Sequence, residues 1–360
     1  MKEVFAEILK VYSQREKAAL CTIVSSKGSL PMSKKAKMLV KEDGTFIGTV
    51  GGGCLEADVW AEAREVMVHS KPRLQHFILT EKHAGEEGLN CGGNVEIFTE
   101  TIHLGVMEKV FEGIRHLYET RGKGLLATIV TGKSGTEGNK LLVTDAGIKI
   151  GSLGDSELDE KIYLNNDIGI TENLLKIVVL NHQGIEPRVF LESIWPDPQL
   201  FLFGGGHISK AIAQIAATVG FGFTVVDDRP AFANLERFSE ADKVVVGNFD
   251  NVFDKLTIDE ASYLVAVTRG HQWDQPVIEQ AVRSKAAYIG MIGSRRKIAI
   301  MWKKLEAKGV SRQLLDQIHA QIGIDIQADT PEEIAVSIIG ELIKFRRSGG
   351  KPTHLLPSDS

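Results

Sequence analysis

The side chains best placed to do chemistry sit beside glycine-rich turns. Gly204-Gly205-Gly206-His207-Ile208-Ser209 follows the apolar run Leu200–Phe203, and Asp227 and Asp228 close the next apolar run. In a strand-to-helix turn, such glycines let backbone N–H groups approach a pyrophosphate, and a carboxylate ending the next strand accepts from a ribose hydroxyl. Ser209 stands where that pattern has a third Gly or Ala, and is expected to loosen the helix–strand contact. Gly293-Ser294-Arg295-Arg296-Lys297 follows a later apolar run, so a helix N-terminus and cations converge there on the space an anion would fill. His271 and Asp274 follow a third run and read more simply as polar loop residues. The bland alternative for this edge is a nucleotide-type scaffold whose turn binds nothing.

A second set carries thiols. Gly51-Gly52-Gly53-Cys54 and Cys91-Gly92-Gly93 place each sulfur beside backbone that a ligand can approach closely, because glycine has no Cβ. Such a cysteine serves as a nucleophile, a ligand to a soft metal, or inert packing. A nucleophile needs a lowered pKa, which Lys34, Lys35 and Lys37 supply only if the fold brings them close. Cys21 lies in an apolar strand pattern and reads as core. Glu56 and Glu96 follow the two motifs, either to orient ligand groups or simply to sit in solvent.

The first half repeats itself. Ala19–Ser25 reads like Leu125–Thr131, and Lys37–Val40 with Gly44, Ile47 and Gly48 recurs as Lys140–Val143 with Gly147, Ile150 and Gly151. Amphipathic helical patterns precede both copies, over Glu3–Arg15 and Met107–Thr120. Only the first copy carries the glycine run and the cysteine motifs, so any site in this half is expected in that copy. Trp195-Pro196-Asp197-Pro198 breaks helix and strand alike. Beyond it, short β-rich runs at Leu200–Phe203, Phe223–Val226, Lys243–Val246, Tyr263–Val267 and Tyr288–Ile292 alternate with helical patterns at His207–Val219, Gln275–Ser284 and Arg295–Lys308. Thr330-Pro331-Glu332-Glu333 reads as a capping box. The fold class is α/β: an N-terminal α/β domain with an internal duplication over residues 1–197 (repeats about 1–102 and 103–197), then a Rossmann-like parallel sheet with helices on both faces over 198–347. The tail, 348–360, is expected to be loose.

Composition narrows the function classes. A net charge of −5 over 360 residues lacks the electrostatic footprint of nucleic-acid binding. No apolar run reaches the roughly 20 residues of a membrane span, and the charged N-terminus lacks a signal-peptide pattern, so a cytoplasmic protein with no membrane partner is expected. Three cysteines with no C-x-x-C pair fit neither a disulfide framework nor a zinc ribbon.

With these motifs assembled, the chain resembles the XdhC/CoxI family, accessory proteins of xanthine dehydrogenase and related molybdenum hydroxylases. The resemblance rests on Gly28-Ser29, Pro31, Ala36-Lys37-Met38, Gly48–Glu56 and Cys91–Gly93, then on Phe203–His207, Val226–Arg229, Tyr288–Arg296 and Thr330–Ala335. It implies a carrier more than an enzyme: binding the molybdenum cofactor, as a molybdopterin with or without a nucleotide, protecting it while a cysteine desulfurase supports its sulfuration, and passing it to the apo-dehydrogenase. Gly51, Gly52, Gly53, Gly92, Gly204, Gly205, Gly206, His207, Asp227, Asp228, Ser294, Arg295 and Arg296 are the expected cofactor-binding residues. Cys54 and Cys91 are those expected near the molybdenum. A homo-oligomer is expected. Two other readings compete: an NAD(P)-dependent oxidoreductase, with Asp227 on the ribose, and a structural adaptor with empty turns.

Overall fold

A computed structural model describes residues 2–28, 33–78, 93–102, 105–164 and 170–348. Cys91, Gly92 and the tail beyond 348 lie outside the described residues. The chain forms two compact units, Met1–Pro196 and Asp197–Ser360.

The first unit is built twice from one pattern. In the first copy, α1 (Lys2–Gln14) and α2 (Gly53–His69) accompany β1 (Ala18–Lys27), β2 (Lys37–Lys41), β3 (Phe46–Gly48), β4 (Arg73–Ile78) and β5 (Asn94–Ile102), in the sheet order β3-β2-β1-β5-β4. In the second, α3 (Val106–Thr120) and α4 (Ser156–Leu164) accompany β6 (Gly124–Thr131), β7 (Lys140–Thr144), β8 (Lys149–Ser152), β9 (Leu175–Val179) and β10 (Arg188–Ile194), ordered β8-β7-β6-β10-β9. Both sheets are antiparallel throughout.

Strand alternation explains the layering. Ala19, Cys21 and Ile23 of β1 pack under α2, while Leu20 and Val24 face the other copy. Val4, Phe5, Ile8, Val11 and Tyr12 make one apolar stripe on α1, and Val110, Phe111, Ile114 and Leu117 make its counterpart on α3. Those stripes share one core with Leu20 and Leu39 of the first sheet and Leu126 and Leu142 of the second.

Reciprocal buried ion pairs tie the copies together. Lys37 of β2 donates to Glu192 of β10 at 2.9 Å, and its repeat counterpart Lys140 donates to Glu100 of β5 at 2.6 Å. All four side chains are at most 4% exposed. A buried pair adds little net stability against an apolar replacement, but loss of one partner strands a charge, so these pairs fix how the copies dock.

In the second unit, β11 (Gln199–Phe203), β12 (Gly222–Asp227), β13 (Lys243–Val246), β14 (Ser262–Ala266), β15 (Tyr288–Met291) and β16 (His319–Ala320) form one parallel sheet, ordered β13-β12-β11-β14-β15-β16. Leu200 and Leu202 face α5 (His207–Thr218) and α9 (Pro331–Arg347). Phe201 and Phe203 face α6 (His271–Ala281) and α7 (Arg295–Ala307). A short α8 (Arg312–Leu315) packs with the second group. Helix α9 opens on the expected capping box, with Thr330 accepting from the Glu333 N–H and the Glu333 carboxylate from the Thr330 N–H. Strand order reverses between β11 and β14, the crevice where open parallel sheets bind ligands.

Candidate functional site

At the end of β11 the glycines have different jobs. A Cβ on Gly204, whose φ is +109°, would lie 2.5 Å from the Val267 carbonyl oxygen, and one on Gly205 would lie 2.1 Å from that of Phe232. Both residues are glycine because the protein's own backbone crowds them. A Cβ on Gly206 would meet nothing within 4 Å, so this face is open to a ligand. Gly206 is also the N-cap of α5 and offers no side-chain cap to the helix N–H groups, and His207 beside it is exposed. Ser209 does not loosen the turn: it is fully buried, and its hydroxyl donates to the Gly204 carbonyl.

The two fingerprint carboxylates are already engaged. Asp227, 1% exposed, accepts from the Gly205 N–H at 2.8 Å and from the Arg229 backbone and guanidinium at 2.9–3.1 Å. It therefore braces the glycine turn instead of presenting a free acceptor to a ribose. Asp228 is clasped by both terminal nitrogens of Arg269, whose guanidinium pulls the carboxyl down to about 2. Arg229 lies 3.6 Å over the Phe232 ring and Arg269 4.3 Å over that of Trp273. Arg237 donates to the Gly205 carbonyl at 2.9 Å. The sequence reading missed Arg237, which lies in a loop without regular pattern. It also missed Arg269, although its place just past β14, at the carboxyl ends of the parallel strands, was a usable signal.

The basic turn ends β15 on the same sheet edge. Ser294 is the N-cap of α7 without a side-chain bond to the helix, and Arg295, Arg296 and Lys297 are exposed in its first turn. Arg295 reaches Gln321 at 3.3 Å. Between these turns, α6 starts at His271, before the Gln275 expected from pattern, and carries Pro276 inside it. Buried Asp274 in its first turn accepts from Thr268 at 2.6 Å, which anchors the early start.

In the first unit, Gly51, Gly52 and Gly53 take φ of +145°, +69° and +62°, a run that side chains strain to adopt. The turn is locked by Glu56, which accepts from Thr49 Oγ1 at 2.6 Å and from the Gly52 N–H at 3.2 Å. Cys54 is exposed in the first turn of α2. Its proposed counter-ions are committed elsewhere: Lys37 to Glu192, and Lys35 to the Glu172 carbonyl at 2.5 Å. Lys34 lines a cleft of about 180 Å³ with Ser25, Ser26, Lys176 and Phe190. Glu96 is gripped by both Arg188 terminal nitrogens, at 2.7 and 3.2 Å. Cys21 is fully buried, and burial pushes its thiol up to about 12. None of the described helices is long and apolar enough to cross a membrane.

Comparison with known proteins brings both halves under one heading. Residues 11–77 match the profile described as XdhC and CoxI family, and residues 200–342 match the XdhC Rossmann domain. A Bacillus subtilis protein, named as a probable subunit of xanthine dehydrogenase, is 28% identical over 92% of this chain and 94% of its own length. The Escherichia coli protein named molybdenum cofactor insertion chaperone PaoD is 24% identical over 95% of this chain and 87% of its own. The E. coli protein YqeB is 25% identical over 98% of this chain, which spans about half (48%) of that relative's length. A solved structure described as a xanthine dehydrogenase from Bacillus halodurans superposes with a TM-score of 0.76 at 24% identity, covering 98% of each chain, and shows the shared fold. With one profile on each unit, the first over the thiol turn and the second over the glycine-rich sheet edge, this chain belongs to the XdhC and CoxI family.

Proposed function

We propose that this protein carries the molybdenum cofactor: it binds the pterin, shields it during sulfuration and hands it to an apo-enzyme of the xanthine dehydrogenase class. Two relatives point the same way, one named as a chaperone for inserting this cofactor and one as a probable component of xanthine dehydrogenase. The observation that carries the reading is the asymmetry of the sheet edge. Its anion-receptive parts are open at Gly206 and Arg295–Lys297, whereas Asp227 and Asp228 are closed by the chain's own arginines. That combination suits a ligand ending in phosphate and disfavours a nicotinamide dinucleotide held by its ribose.

The residues present fit such a group. Gly206 and the first turns of α5 and α7 would hold its phosphate, with Arg295 and Arg296 neutralising charge. Cys54 is the exposed soft donor of the described first unit, suited to a molybdenum–sulfur centre, and Cys91 is proposed as a second. The bound cofactor supplies the redox chemistry to its eventual enzyme. This chain supplies binding, orientation and exclusion of water. A cysteine desulfurase is the proposed sulfur source, and a homo-oligomer in the cytoplasm the proposed working form.

Anaerobic calorimetry of the purified protein with molybdopterin, NAD(H) and NADP(H) in turn is expected to show pterin binding alone. Nicotinamide binding without pterin binding would establish the oxidoreductase reading instead, and no binding at all the adaptor. Gly206→Ala is expected to weaken pterin binding with melting temperature unchanged, because the added methyl enters ligand space. Full cofactor retention in both Cys54→Ala and Cys91→Ala would remove the thiols from the scheme.

A further inference from the structure

The second copy of the repeat holds a cluster that the cofactor-carrier reading does not use. Asp155 and Glu157 lie in the turn from β8 into α4, and His182 lies on the connection from β9 to β10. Among the described residues, they form a group of metal-competent side chains in which one ligand atom from each lies within 4.8 Å of the others. Its core is a buried imidazole. The His182 side chain is 4% exposed; its Nε2 lies 3.2 Å from Asp155 Oδ2, and its Nδ1, 3.4 Å from Glu157 Oε2, makes no hydrogen bond. A buried ring nitrogen without a hydrogen bond is costly unless something else occupies its lone pair.

The carboxylates are arranged so that each anchors itself with one oxygen and leaves the other toward the ring. Asp155 Oδ1 accepts from the Glu157 N–H at 2.8 Å, and Oδ2 faces Nε2. Glu157 Oε1 pairs with Lys161 at 2.7 Å, and Oε2 faces Nδ1. A carboxylate on one imidazole nitrogen fixes the tautomer that turns the other nitrogen's lone pair outward, the arrangement found around histidines that bind metals.

The location is the repeat counterpart of the thiol turn. Ser152 and Asp159 reproduce the Thr49–Glu56 lock: Ser152 Oγ donates to Asp159 at 2.7 Å, and the Leu153 N–H at 2.8 Å. That register sets Glu157 at the position of Cys54. His182, in turn, lies on the connection that corresponds to the one holding Cys91.

We propose that Asp155, Glu157 and His182 form a divalent transition-metal site of the Zn²⁺ class, the nitrogen–oxygen counterpart of the first copy's thiols. His182 Nδ1 and Glu157 Oε2 are the protein ligands, Asp155 is a positioning residue through Nε2, and water completes the shell. Imidazole and carboxylate donors suit Zn²⁺ or Co²⁺, whereas thiols suit softer centres. The bound ion clips the helix turn to the hairpin.

The test is titration of chelator-treated, full-length protein with ZnCl₂ by calorimetry, and with CoCl₂ by visible absorption, in a Cys54→Ser/Cys91→Ser background so that thiolate binding cannot contribute. One equivalent is expected, with Co²⁺ bands lacking thiolate charge transfer and a rise in melting temperature on adding Zn²⁺. Glu157→Gln and His182→Gln are expected to abolish binding, and Asp155→Asn to weaken it about 10–100-fold, as loss of an orienting partner does. Because His182 is buried and its variant can unfold, the exposed Glu157→Gln, checked by circular dichroism, decides the matter. No binding by the parent protein, or undiminished binding by folded Glu157→Gln, overturns the assignment.

Discussion

The two copies of the N-terminal repeat keep one scaffold and differ where chemistry is available. Phe5 and Phe111, Lys37 and Lys140, Gly48 and Gly151, Glu100 and Glu192, and Glu56 and Asp159 occupy equivalent places and do equivalent work. The turn entering the second helix does not match: Gly51-Gly52-Gly53-Cys54 in one copy, Gly154-Asp155-Ser156-Glu157 in the other. The buried ion-paired positions, Lys37 and Lys140 with Glu192 and Glu100, are retained in kind, because each serves its partner's fold. A turn that points away from the partner is free to specialise.

The largest test of this symmetry is removal of one buried cation. Lys140→Met strips Glu100 of its buried cation in the core, where burial already pushes its carboxyl up and loss of the cation pushes it further. It should cost about 3–5 kcal/mol by urea unfolding, as breaking one half of a buried pair does. Lys37→Met should cost a similar amount through Glu192. If only one of the two variants loses stability, the copies share a backbone but not a common electrostatic device.

Smaller effects are expected at Gly48 and Gly151. Both lie in the third strand of their copy, with φ of +82° and +83°, and an added Cβ would fall 2.2 and 2.4 Å from the carbonyl oxygens of Lys37 and Lys140. These glycines let the strand edge close over the lysine backbone. Alanine at either should cost about 1–3 kcal/mol, read as a lowered melting temperature. A neutral Gly151→Ala beside a damaging Gly48→Ala would show that the second copy tolerates a shift that the thiol-bearing copy does not.

Much of this architecture was legible in the sequence. Short apolar β-rich runs marked the strands, and their alternation with helical patterns after Pro198 marked the parallel sheet with helices on both faces. Thr330–Glu333 marked a helix start that the structure retains. The site was legible only in part. Residue type showed that Asp227 closes a strand, but not that its oxygens are taken by Gly205 and Arg229, since those contacts depend on how the following loop folds back. Lys37 read as a thiol's counter-ion because Cys54 is near in sequence; its partner is 155 residues away. Ser209 read as a defect because the pattern expects a smaller residue, and its hydroxyl turned out to bond the turn it was expected to loosen. The second copy read as scaffold alone, because its histidine and carboxylates lie on separate connections.

The smallest effect sharpens the comparison furthest, because it concerns equivalent positions with opposite charges. Glu96 precedes Phe98 and Glu100 by the spacing at which Arg188 precedes Phe190 and Glu192, and the two side chains pair across the unit. The Arg188 guanidinium holds the Glu96 carboxyl below the usual carboxylate range, with His76 adding to the effect and burial opposing it. The folded state therefore binds this proton less tightly than the unfolded chain. The pair's contribution is complete above the ordinary value near 4.5 and is lost as pH falls through the lowered folded value. Being partly exposed, the pair should contribute only about 1 kcal/mol. Urea unfolding of the parent and Arg188→Gln proteins should thus differ by about that much at neutral pH and converge in acid. The exchange Glu96→Arg with Arg188→Glu should restore the neutral-pH difference, because either copy can supply either charge. A gap that stays constant into acid would mean that Arg188 acts through packing and not through Glu96. A failed exchange would mean that the two positions, although equivalent in strand register, are not equivalent in surroundings.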